Sequence, residues 1–85
     1  YPADAAARYE LAALLVAAGE MALAIAVAEP GIDADQPLPQ DAPLLLVLGT
    51  ALHETGRLTE ARIARELAYR LAPRLAPVIT EDPAA

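Results

Sequence analysis

Eighty-five residues make one small domain, which buries roughly 60–65% of its unfolded surface and has little stability to spare. A formal charge of −6 disfavours nucleic acid or an anionic bilayer as the driving partner, and the absence of Cys removes disulfides and thiolate metal sites. Ser is absent as well, so the hydroxyls of Thr50, Thr55, Thr59 and Thr80 stand without a neighbouring base, and no enzymatic chemistry is expected.

From Ala3 to Ala18 almost every residue is Ala, Leu, Arg, Glu or Tyr, which predicts a first helix. Asp4 is placed to cap it and to pair with Arg8 one turn later. Gly19 ends it, as a residue free to take a left-handed backbone. Residues 20 to 29 read as a second helix, apolar nearly all round at Met21, Leu23, Ile25 and Val27, and therefore in need of cover on several sides.

Residues 30–43, PGIDADQPLPQDAP, contain four prolines and predict a loop. Asp41 ahead of Pro43 then marks the start of a third helix carrying LLLVL and running to about Glu54. Gly56 stops it. Thr59 is placed to cap a fourth helix, to about Leu71, with Ile63, Ala64, Leu67, Ala68 and Leu71 on one face, and Pro73 closes it. The remaining tail, 76–85, is expected to be extended or partly ordered.

The apolar run from Leu11 to Ala28 approaches the length of a membrane span, but Gly19 and Glu20 sit at its centre and much of it is weakly hydrophobic Ala, so no span is expected. The opening YPADAAARYE lacks the basic, apolar, small-residue progression of a secretory leader. A chain starting at Tyr1 is expected to be a processed form or a piece of a longer protein, with a cytoplasmic setting slightly favoured over a periplasmic one.

Charge is uneven: residues 1–43 hold seven acids against Arg8, whereas residues 44–85 hold five acids against five Arg. His53 is the only histidine and lacks the further ligands or orienting group of a metal or acid–base site. IDADQP, residues 32–37, begins like a calcium loop, but Pro37, Leu38 and Leu44 occupy positions that need a ligand, a Gly and a Glu. No catalytic, cofactor or metal site is therefore expected. Arg62, Glu66 and Arg70 recur every four residues and predict a solvated ion-pair ladder, with Arg57, Arg65 and Arg74 as further cations for an acidic partner.

Small residues carry the organisation. Two antiparallel helices approach closely only where side chains are small, so Gly49 and Ala61 are expected at the contact of a helical hairpin, with Gly56 at its turn. Leu48, Gly49, Gly56, Ala61, Ala68 and Pro73 stand in the order and spacing of the tetratricopeptide repeat, and residues 42–75 resemble one complete unit. The aromatic positions depart from that family: Leu45, Leu52 and Arg65 stand where Trp, Tyr and Phe are usual. A shift of 37 residues aligns the first half on the second, Ala5 on Ala42, Leu11 on Leu48, Leu15 on Leu52, Gly19 on Gly56 and Ala24 on Ala61, so residues 3–31 resemble a degenerate copy.

The resemblance implies an all-α fold of two stacked antiparallel hairpins, a short α-solenoid. It also implies a concave groove lined by Tyr9, Ala13 and Val16 from the first unit and by Leu46, Thr50 and His53 from the second. Lacking the Lys, Arg and Asn by which carboxylate-binding members hold their ligands, such a groove suits an apolar or amphipathic protein segment. Two roles are consistent with it: a non-catalytic adaptor or chaperone-like module, or a structural segment covered by self-association or by neighbouring repeats.

Overall fold

The structure, a computed structural model, describes residues 5–31 and 35–75. Four helices account for most of them: α1 (Ala5–Ala17), α2 (Met21–Ala28), α3 (Ala42–Glu54) and α4 (Leu58–Leu71). Single 3-10 turns follow α2 (Glu29–Gly31), precede α3 (Pro39–Asp41) and follow α4 (Pro73–Leu75). The fold is all-α, with no strand among the described residues. Asp4, the Asp33 position of the acidic loop and the 76–85 tail lie outside the described residues.

Both hairpins turn on glycine. Gly19 and Gly56 hold φ of 81° and 84°, a left-handed backbone that a Cβ opposes. At the first turn the Gly19 N–H donates to the Val16 carbonyl (3.0 Å) and the Glu20 N–H to the Leu15 carbonyl (2.8 Å). At the second, Gly56 donates to His53 (3.1 Å) and Arg57 to Leu52 (2.9 Å). These are the paired bonds of a Schellman turn, which satisfy carbonyls that the helix end would otherwise leave open. The entry to the second helix of each pair matches as well, Ala24 donating to Glu20 (3.0 Å) and Ala61 to Arg57 (2.9 Å). Every one of these bonds maps onto its counterpart at a displacement of 37 residues, so the internal repetition of the sequence is also a repetition of backbone geometry.

Two expected helix caps are not made. Asp41 does not cap α3: its backbone is already in the helical region (φ −80°, ψ −10°), whereas a capping residue is extended. Its buried carboxylate instead reaches back, Oδ2 accepting the Leu38 N–H at 2.9 Å. Leu38 is the extended residue (φ −101°, ψ 151°) with Pro39 next, so the chain begins to coil two residues before Asp41. Thr59 lies inside the first turn of α4, which Arg57 precedes without a side-chain cap. α4 ends at Leu71, and Ala72 is extended (φ −140°, ψ 82°) as a residue before proline must be.

α3 is the central element, packing against α1, α2 and α4. It supplies the large buried side chains, Leu44, Leu45, Leu48 and Leu52, while its neighbours meet them with alanines: Ala12 from α1, Ala28 from α2, and Ala61, Ala64 and Ala68 from α4. Alanine at each of these points lets a backbone come close to the leucine layer. Gly49 carries this furthest, because a Cβ built on it would lie 3.3 Å from the Ala61 carbonyl oxygen.

Candidate functional site

Each half of the expected groove is a stripe at i, i+4, i+7, which places its three residues along one side of a helix. On α1, Tyr9 is exposed while Ala13 and Val16 are half-buried; on α3, Leu46 and Thr50 are half-buried and His53 is exposed. The stripes are counterparts at the 37-residue displacement, Tyr9 to Leu46, Ala13 to Thr50 and Val16 to His53, and the helices that carry them are in contact. None of the six is fully buried, although Ala12, Leu45 and Gly49 next to them are. Leu46 rests partly on the core.

The chemistry of this surface is bland. The Thr50 hydroxyl donates to the Leu46 carbonyl of its own helix (3.1 Å), which removes it as a donor to a ligand. His53 has only Glu54 beside it, Nδ1 to Oε1 3.9 Å, beyond hydrogen-bond range. No group of three His, Asp or Glu side chains gathers among the described residues. No helix among them is long and apolar enough to cross a membrane.

The expected ion-pair ladder on α4 does not form among the described residues. Arg62, Glu66 and Arg70 are all exposed and no ion pair joins them, as long side chains in water gain little by holding one geometry. Ion pairing gathers instead at the hairpin turn. Arg57 Nε donates to Glu60 Oε1 (3.1 Å), its terminal nitrogen bonds Oε2, and the same nitrogen lies 3.9 Å from Glu29 at the end of α2. The hydrogen bond from Arg57 holds the Glu60 carboxyl below its ordinary range and raises the Arg57 guanidinium in turn. Arg65 lays its stem over Gly49, with Cγ 3.0 Å from where a Cβ would stand. That contact explains why a long aliphatic stem stands there: it covers the glycine that a bulkier neighbour would crowd.

A cleft of about 550 Å³ opens elsewhere, between α1 and α2. Ala7, Arg8 and Leu11 form one wall, and Leu23, Ala26 and Val27 the other, with Pro30 at its end. None of the six groove residues lines it. Arg8 spans the cleft, donating from Nη1 to the Val27 carbonyl at 2.9 Å, while its buried Nε finds no acceptor among the described residues. Leu11, Leu14 and Leu23 around it are exposed. The signal in the sequence was α2 itself, MALAIAVA, which has no charge on any side, so whichever side faces out is apolar.

Compared with protein-family models, with curated proteins and with solved structures, the chain matches none.

Proposed function

We propose that the chain is a non-catalytic helical-repeat module of the tetratricopeptide-like kind, which binds an apolar or amphipathic segment of a partner protein along the α1 and α3 stripes. The observation that carries this reading is the matched pair of stripes. Tyr9, Ala13 and Val16 on α1 and Leu46, Thr50 and His53 on α3 occupy equivalent places, remain partly accessible, and offer aliphatic and aromatic surface with few polar claims. A helix laid across such a surface would gain its affinity from burying apolar area.

Titration of a fluorescently labelled, leucine-faced helical peptide against the chain tests the reading. Tyr9→Glu and Leu46→Glu are expected to weaken binding at least about 10-fold while circular dichroism shows unchanged helicity, since one added charge in an apolar contact costs more than 1.4 kcal/mol. Tyr9 is exposed, so its variant stays folded even if Leu46→Glu loosens the core. Equal affinity for the wild type and both folded variants would sink the assignment.

A second reading, a structural segment of a larger helical assembly, is favoured by the open α1–α2 cleft. Sedimentation separates the two: a monomer that binds the peptide supports the module, and a defined homo-oligomer without peptide binding supports the structural part.

A further inference from the structure

The α1 wall of the α1–α2 cleft is the counterpart of a face that this chain buries elsewhere. On α3, Gly49 points at α4, so Leu44, Leu48 and Ala51, which lie on another arc of the helix, are turned towards α1 and α2. They are sealed, at 0%, 7% and 0% exposure. Their counterparts 37 residues earlier are Ala7, Leu11 and Leu14, and these are less covered: Ala7, half-buried, and Leu11, 39% exposed, line the cleft, and Leu14 is 68% exposed. Across the cleft Leu23 is 53% exposed, and Ala22 and Ala26 beside it are exposed too.

We infer that this face is a docking surface for a second helical hairpin, one whose contacting side is uncharged and apolar as the core side of α1–α2 is, seated as α1–α2 is seated on α3. The inference concerns a surface other than the α1/α3 stripes and stands whether or not they hold a peptide. Continuity with the existing interface supports it, because the same stripe of positions that packs on a hairpin in the second unit is left uncovered in the first. Charge supports it as well. Among the described residues Arg8 is the one charge in the cleft and is tied to the Val27 carbonyl, so the remaining described surface asks for a neutral partner.

A second copy of the chain does not fit this description. Ile25 on α2, which packs against the core, has Arg62 as its counterpart on α4. A copy stacked head to tail would therefore bring a guanidinium to the place that Ile25 holds, and a charge in a closing apolar contact opposes association.

The test extends the full chain with a duplicate of residues 1–37 placed ahead of Tyr1, which presents an apolar hairpin in the observed 37-residue register. The fused chain is expected to unfold about 5 °C or more above the original. Leu14→Glu, made in the original copy, is expected to abolish that gain while leaving the unfused chain unchanged, because the side chain already faces water there. No gain on fusion, or a gain that survives Leu14→Glu, overturns the inference. So does an unfused chain that sediments as a dimer and becomes a monomer with Leu14→Glu, since the occupant would then be a second copy.

Discussion

Gly49 of α3 and Ala61 of α4 are pressed together closely enough that a Cβ on the glycine would lie 3.3 Å from the alanine's carbonyl oxygen. The backbone oxygen cannot retreat, whereas Arg65 Cγ, 3.0 Å away, belongs to a side chain that can. Gly49→Ala is therefore expected to be nearly neutral, its helix-propensity gain of about 1 kcal/mol offset by the tight contact. Gly49→Leu, which must part the helices, is expected to cost about 1–3 kcal/mol. Urea unfolding measures both, and a Leu variant as stable as wild type would mean that α3 and α4 do not meet here.

At Gly56 the reverse holds: a Cβ would meet nothing within 4 Å, and the whole cost of substitution is backbone strain at φ 84°. Gly56→Ala is expected to lose about 1 kcal/mol and Gly56→Val more, with Gly56→Asn milder because Asn tolerates the left-handed region. The matching series at Gly19 is expected to follow the same order. Thermal melts that leave all these variants at the wild-type midpoint would contradict the turn geometry.

Arg8 staples the first hairpin through Val27. Arg8→Ala is expected to lower unfolding free energy by about 1 kcal/mol, since both the hydrogen bond and the stem that walls the cleft are lost. Arg8→Met keeps most of the stem and removes the Nε that lacks an acceptor among the described residues, so it is expected to stay closer to wild type. If Ala and Met variants unfold identically, the stem contributes nothing.

Glu60 titrates below an ordinary glutamate because Arg57 donates to its carboxylate. A carboxyl with a depressed folded pKa stabilises the fold above its unfolded pKa and loses that contribution as pH falls through the folded value. The pair is fully in water, so the effect on stability is small and the readout is site-specific. NMR titration is expected to place Glu60 below the ordinary glutamate range, and Arg57→Leu is expected to bring it back up.

Much of this fold could be read from local residues. Gly19 and Gly56 needed only their position after an Ala- or Leu-rich run, and the approach of Gly49 to Ala61 followed from their size and separation. The 37-residue displacement was visible as letters and recurs as the same set of backbone bonds. The helix starts were less legible. Asp41 looks the same in sequence whether it caps forward or reaches back to Leu38, and the choice is made by a backbone already coiling at Pro39. The cleft was hidden for a different reason: it depends on which sides of α1 and α2 face α3, and alanine on most sides of both helices leaves no amphipathic stripe to say so. Arg8 could be seen as a helix-surface cation, but its reach to Val27 crosses 19 residues and exists only once α2 has folded back.

The most direct measurement is a NOESY spectrum of the isotope-labelled chain, read for two contacts 37 residues apart. The expected result is cross-peaks from Gly49 Hα to the Arg65 side chain, together with their counterparts between the Ala12 and Ala28 methyl groups, which are fully buried in one core. Helical cross-peaks running unbroken through Gly19 or Gly56, or Gly49 protons with no partner on α4, would contradict a chain built from one hairpin made twice.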